Sequence, residues 1–304
     1  MLSSLFNALR ARPAPQPAAG GAASARGADP AVAQAQALVL EARQLADLGR
    51  LDEALAACRA ASRVDPDLHE ARMLAAALHL PGPNYLDFLA HLHKHVKPAN
   101  YVEIGVSEGL SFRLVRPGTP AIGVDPAPRV DYALSAGSRV IEATSDEFFA
   151  THDVRAELGG PVALAFIDGM HNFEFALRDF IALERLAERS STLLIHDCYP
   201  LDRETAARER ATSLWSGDIW RLVLVLKKYR PDLAVHTLAL RPTGLGMVRR
   251  LDPTSTVLAD NYAAIVEEFL ALDYAVLEAD QAGALNLFPN DWERIDALLD
   301  AEIQ

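Results

Sequence analysis

Hydrophobic patterning divides the chain into three regimes. From Ala31 to about Leu80 the apolar positions recur at helical spacing in an alanine-rich stretch. A Pro81-Gly82-Pro83 break follows, and an amphipathic helix is predicted from Tyr85 to Val96. Short apolar runs then alternate with helical stretches: YVEIGV, PAIGVD, SRVIEAT, VALAFID and TLLIHD. Such runs read as strands buried on both faces, so the alternation predicts a parallel sheet with helices on either side. After Asp197 the order changes. A helix around Asp218 to Tyr229 leads into LAVHTLAL, a Thr243-Gly244 turn and LGMVRR, which predict an antiparallel hairpin closing a seven-stranded sheet. From Asp252 onward the pattern is again helical, over Val257 to Leu272 and Asp291 to Ile303, without a strand signal. These last helices are expected to form a lid or an oligomer contact.

The first strand carries the most chemistry. YVEIGVSEGLSF runs from Tyr101 to Phe112 as strand, glycine-rich turn and helix start, and AIGVDP then ends a second strand on Asp125. A dinucleotide turn has the spacing G-x-G-x-x-G, so that backbone can approach a pyrophosphate at a helix N-terminus. Here the spacing is E-x-G-x-x-x-G, through Glu103, Gly105 and Gly109, with Ser107 between the glycines. A carboxylate at the strand end would repel a pyrophosphate and suit a ligand with a cationic amino-acid portion. Asp125 can accept both hydroxyls of a ribose. Ser145 and Asp146 follow the third strand. In an open parallel sheet, ligands lie beyond the carboxyl ends of the strands, which is where all these residues fall.

Two further segments place acids at neighbouring strand ends. FIDGMHNFEFALRDF contains Asp168 and His171, and LLIHDCYP contains His196 and Asp197. Adjacent strands lie about 5 Å apart, so Asp168 and Asp197 could share a divalent cation, and oxygen ligands suit magnesium. A histidine near neutrality could take a proton from an acceptor hydroxyl, which makes His171 the candidate base. WSGDIWR, Trp215 to Arg221, could overhang the acceptor, or Asp218 could cap a helix with Trp220 in the core. His91 and His95 share a helix face, with no third ligand in the sequence around them, and read as a solvated surface.

The acid–glycine–acid set resembles motif I of the class I S-adenosylmethionine (SAM)-dependent methyltransferases. The D-G-x-H and H-D-x-x-P segments resemble the branch that includes cephalosporin-hydroxylase-like proteins and macrolide sugar O-methyltransferases. The resemblance covers Tyr85 to Arg250. It implies an α/β, Rossmann-like sheet of seven strands with a terminal antiparallel hairpin. It implies SAM as cofactor, held by Glu103, Gly105, Ser107, Gly109, Asp125, Ser145 and Asp146. It also implies Asp168 and Asp197 as metal ligands, with Mg2+ a candidate ion, and Asp168 and His171 as catalytic residues. Where catechol-type relatives carry Asp-Asn after the fifth strand this chain has Asp197-Cys198, and cysteine is a poor magnesium ligand. The third ligand is therefore absent or comes from elsewhere. The implied activity is O-methylation of a small-molecule or sugar hydroxyl. The alternative is a non-catalytic assembly module that uses its helical arm to bind a partner.

The domain reading is a disordered arm over 1–30, a helical segment over 31–80, the methyltransferase-like domain over 81–250 and C-terminal helices over 251–304. Gly49, Ala54, Ala61 and Pro66 fall at tetratricopeptide spacing. One such repeat cannot bury its own face, so this helical hairpin is expected to dock on the main domain, on a protein partner or on a second copy. The 304 residues carry a formal net charge of -12, which argues against a general nucleic-acid binder. Two distant cysteines, Cys58 and Cys198, give no disulfide framework, and a reducing cytoplasm is the expected setting. No apolar run is long enough to predict a membrane span.

Overall fold

The computed structural model describes residues 29–301. The N-terminal arm lies outside the described residues, except that Asp29 and Pro30 already belong to the first helix: the Asp29 carboxylate accepts the Ala31 N–H at its N-cap. The chain divides into two compact units. One comprises residues to His79 with Thr212–Leu214; the other comprises Leu80–Ala211 and everything from Trp215.

The first unit holds three helices, α1 (Pro30–Asp47), α2 (Leu51–Val64) and α3 (His69–His79). They pack through small side chains, among them Ala42, Ala57, Cys58 and Ala61, with Leu74. This is one helix pair plus a third helix, and the tetratricopeptide reading rests on spacing alone.

The second unit is an α/β sandwich of three layers. Helix α4 (Tyr85–His95) starts at a reciprocal capping box between Asn84 and Asp87. The sheet then follows with β1 (Tyr101–Ile104), β2 (Ala121–Asp125), β3 (Ser138–Glu142), α5 (Ser145–Thr151), α6 (Val154–Leu158), β4 (Val162–Ile167), α7 (Phe173–Leu186) and β5 (Ala187–His196). After α8 (Trp220–Tyr229) come β6 (Ala234–Leu238) and β7 (Leu245–Arg249). With a last strand β8 (Leu287–Phe288), the strand order is β3-β2-β1-β4-β5-β7-β6-β8. The first five strands are parallel, and β7 is antiparallel to both β5 and β6. The sheet is therefore the expected Rossmann-like one with a terminal hairpin, enlarged by an eighth strand.

Strand alternation sorts side chains onto the two faces. Val102, Ile104, Ala165, Ile167, Leu193 and Ile195 join one core with Phe180 of α7 and Leu226 of α8. Tyr101, Leu164, Phe166, Leu194 and Met247 join the other with Phe88 and Leu92 of α4.

Three expectations are corrected. No α-helix follows the glycine turn; only a single 3-10 turn forms, Phe112–Leu114. Gly109 is left-handed (φ 73°) and Pro117 comes eight residues later, which leaves room for little more than one turn. Second, the segment after Asp252 is not free of strand, and of its two expected helices only the one over Asp291 to Ile303 forms as a single helix, Trp292–Ala301. The segment forms α9 (Val257–Asp260), α10 (Tyr262–Leu270), α11 (Ala275–Glu278), α12 (Gln281–Ala284), β8 (Leu287–Phe288) and α13 (Trp292–Ala301). Strand β8 pairs in parallel with β6, and Ile295 and Leu299 of α13 enter the second core. Third, His91 and His95 are half-buried against α13, with His91 Nε2 2.8 Å from an Asp296 oxygen.

Candidate functional site

The sheet register aligns the site. Ile104 pairs with Val124 and Ile167, and Ile167 pairs with Ile195. The next residues along these strands are Gly105, Asp125, Asp168 and His196, all level at the carboxyl edge. Gly105 has φ 89°, and a Cβ there would lie 2.1 Å from the Asp168 carbonyl oxygen. Only glycine permits this turn to lie against the Asp168 backbone.

The turn is held from the second strand. Asp125 accepts the N–H of Ser107 (2.7 Å) and that of Ala127 (2.8 Å). The segment after β2 clamps the same turn: Arg129 donates its N–H to the Ser107 carbonyl, and the Tyr132 hydroxyl donates to that of Gly109 at 2.7 Å. Arg129 and Tyr132 carried no signal in the sequence, because their loop has no periodicity. Ser145 opens α5 beside the buried Asp179, and burial raises the Asp179 carboxyl to about 6 against its hydrogen bond with Ser145. Asp146 is exposed and forms a two-pronged ion pair with Arg178 (2.7 and 3.0 Å).

Glu103 does not lie at the surface of the turn. It points into the second core at 0 % exposure, where Ser111 (2.5 Å) and Tyr101 (2.7 Å) donate hydroxyls to its two oxygens. Burial pushes it up to about 8, against the pull of those two bonds. The expectation that a negative charge at Glu103 faces the ligand is thus corrected: the side chain is enclosed in the core, where burial favours its neutral form.

The second cluster joins Asp168, His171, His196 and Asp197. The register sets His196, not Asp197, level with Asp168. Asp197 follows in a left-handed conformation (φ 63°) that turns its carboxylate back toward both rings. His196 Nδ1 lies 3.1 Å from Asp168 and 3.2 Å from Asp197. Those contacts are ion-pair distances without hydrogen-bond alignment, and neither ring nitrogen of the buried His196 has a hydrogen-bond partner. His171 Nδ1 lies 2.9 Å from Asp197 and 3.1 Å from the Trp215 carbonyl, and its Nε2 is 3.7 Å from Asp168. Thr243 donates to the other Asp197 oxygen. Burial alone would raise Asp197, but the two histidines hold it well below the usual carboxylate range. Burial alone would lower His171, but Asp197 and Asp168 together raise it to about 9. These neighbours favour the protonated form of His171.

Asp168, His171 and Asp197 each offer a ligand atom within 4.8 Å of the others. Two carboxylates, an imidazole and an orphaned imidazole beside them are a donor set that suits a divalent cation. His171 is the third donor of that set, where the sequence after Asp197 offers only Cys198. Cys198 itself is buried, with its thiol donating to the Ile195 carbonyl at 3.4 Å and pushed up by burial.

The loop before α8 closes over this cluster. Trp215 stacks on the His171 ring, with centroids 5.1 Å apart and planes 10° apart. Gly217 makes the approach possible, since a Cβ there would meet the His171 carbonyl oxygen at 1.7 Å. Trp220 is in the core. Asp218 is a cap, as expected, but for another helix: it accepts the Phe173 N–H at the start of α7 (2.8 Å).

Residues 102–198 match a family model described as a methyltransferase domain. That span runs from the first strand to the end of the Asp168–Asp197 cluster. No match is found among curated proteins. Solved structures of similar fold include cofactor-bound Rv0187 from MTB, 18% identical over 62% of this chain and 94% of that one, TM-score 0.43. The SAH-bound Podospora anserina methyltransferase PaMTH1 is 15% identical over 65% and 88%, TM-score 0.42. The O-methyltransferase TomG from Streptomyces achromogenes, involved in Tomaymycin synthesis and in complex with SAM, is 15% identical over 63% and 94%, TM-score 0.42. Among the described residues no helix is long and apolar enough to cross a membrane.

Proposed function

We propose that the second unit is a SAM-dependent methyltransferase that acts on a hydroxyl oxygen of a small molecule or sugar. The observation that carries this reading is a register. It sets the methyltransferase-domain turn at Gly105, with Asp125 beside it, next to a cluster of two acids and two histidines. In this proposal Gly105, Ser107 and Gly109 present backbone to the donor, and Asp125 accepts its ribose hydroxyls while continuing to hold the turn. Ser145 and Asp146 border the adenine. Glu103 sets the turn from beneath through Ser111.

The acceptor hydroxyl lies between that turn and the Asp168 cluster. The methyl group leaves the sulfonium sulfur and bonds to the acceptor oxygen in line, so alignment of the two reactants is the main contribution of the protein. Asp168, His171 and Asp197 would hold a divalent cation, which when bound supplies Lewis-acid polarisation of the acceptor oxygen. His171 can take the hydroxyl proton only in the cation-free site, since an imidazole that ligates the ion has no lone pair left for it; Asp197 and Asp168 favour the protonated ring that results.

Calorimetry with SAM tests the donor assignment. The full chain is expected to bind SAM, and Asp125→Ala to weaken it about 10- to 100-fold, the worth of a hydrogen bond to a charged group. NAD is expected to leave the melting temperature unchanged while SAM raises it. A chain whose melting temperature ignores SAM would overturn the proposal.

A further inference from the structure

Helices α4 and α13 face each other with two histidines on one and two aspartates on the other. His91 and His95 are one helical turn apart on α4, their rings stacked at 5.7 Å. Asp296 and Asp300 have the same spacing on α13. His91 Nε2 lies 2.8 and 3.0 Å from the two Asp296 oxygens. His95 Nδ1 lies 3.8 Å from Asp296, and His95 Nε2 lies 2.9 Å from Asp300.

We propose that His91, His95 and Asp296 form a metal site for a zinc-class divalent cation, separate from the Asp168 cluster. Three observations carry it. The ligand atoms of these residues lie within 4.8 Å of one another. Their nearest separations, 2.8 and 3.8 Å, bracket the roughly 3.3 Å between ligands in a tetrahedron with metal–nitrogen bonds of about 2.0–2.1 Å. Asp300 lies behind His95, 2.9 Å from its Nε2: a carboxylate there accepts the Nε2–H and in the neutral ring leaves Nδ1, 3.8 Å from Asp296, as the ligating nitrogen. A carboxylate behind a ligating histidine is the outer-shell arrangement that orients such rings. Two imidazoles with one carboxylate favour zinc-class ions over magnesium. On binding, His91 Nε2 gives up the proton it shares with Asp296, and that proton passes to solvent. The fourth position is left to water. The cation would tie the C-terminal helix to the helix that leads into β1. None of these residues belongs to the proposed methyl-transfer site, so the two readings stand or fall separately.

Trp292 is a built-in reporter, since its ring lies 4.6 Å from that of His91. Co2+, a visible stand-in for Zn2+, is titrated into the full-length chain. The expected result is one equivalent, beyond any held at the Asp168 cluster, with the visible bands of a four-coordinate ion and quenching of Trp292 fluorescence, the latter lost in Trp292→Phe. The His91→Ala/His95→Ala variant should bind one equivalent fewer. Asp300→Asn should keep the site but weaken it about 10- to 100-fold. Zn2+ should raise the melting temperature of the wild type more than that of the double variant. His95→Gln, at a partly exposed position, serves if the double variant does not fold. Equal Co2+ stoichiometry in wild type and histidine variants would mean adventitious binding and would overturn the site, as would the absence of binding.

Discussion

A carboxyl enclosed between two hydroxyls and a hydrophobic core titrates far from its ordinary range, and Glu103 is such a group. Its pKa in the folded chain, about 8, lies above the unfolded value of 4.5. Folding therefore takes up a proton between those two values. The stabilising contribution is complete below pH 4.5 and is lost as pH rises through 8. Glu103→Gln should keep the Ser111 contact, since its amide still offers an acceptor oxygen, and should remove this dependence. The expected outcome is a urea midpoint that declines less between pH 5 and 8 in the variant than in the wild type; parallel profiles would refute it. The position of Glu103 was legible in the sequence, because strand and turn are both local patterns. Its charge state was not, because that depends on Tyr101 and Ser111 closing over it from the same face of the sheet.

At the scale of elements, the stability of α7 depends on a residue outside it. Asn172 at its N-cap makes no side-chain capping bond. Asp218, 0 % exposed in its side chain, accepts the Phe173 N–H and pairs with Arg208 (2.6 Å) and Arg221 (3.1 Å). Arg208 in turn grips Glu174 in the first turn of α7. Asp218→Ala leaves the buried Arg221 with only the Phe269 and Leu272 carbonyls and no counter-charge at Asp218, and uncaps the helix that follows His171. Removing one member of a buried ion pair costs about 3–5 kcal/mol, and the partial exposure of Arg208 places this case at the low end. Equilibrium urea unfolding should show that loss, and a smaller one for Asp218→Asn, which keeps an oxygen for Phe173. A change below about 0.5 kcal/mol, ordinary for a surface site, would contradict it. The sequence marked Asp218 as a cap because the residue type suits one. It could not name the helix, since the partner lies 45 residues upstream and the loop between is set by Trp215 and Gly217 against His171. Four of the five parallel strands were legible for the opposite reason: largely apolar runs ending on Gly105, Asp125, Asp168 and His196 state both the burial and the edge, whereas β3, expected to be buried on both faces, is only half-buried.

At the scale of the molecule, the C-terminal segment decides whether the sheet is finished at β7. The strand β8 is two residues long, too short to leave a periodic trace, and it forms only because β6 offers an open edge. Helix α13 then covers the second face. Ile295 and Leu299 are 0 % and 1 % exposed, and the Leu299 carbonyl accepts a 2.6 Å bond from the buried Arg249 of β7. A detachable lid or an oligomer contact would leave these side chains in solvent in a single chain. Here they share a core with Phe88, Leu92 and Met247. Leu299→Ala should therefore behave as a core truncation. It loses the transfer energy of the removed atoms and leaves a cavity, together about 2–5 kcal/mol. Urea denaturation followed by far-UV circular dichroism and by tryptophan fluorescence should shift together. Coincident shifts are expected because α13 carries Trp292 and unfolds with the sheet it covers. If fluorescence moved alone while the dichroism midpoint stayed in place, α13 would be coming away by itself, and the C-terminal helices would be the lid that their sequence suggests.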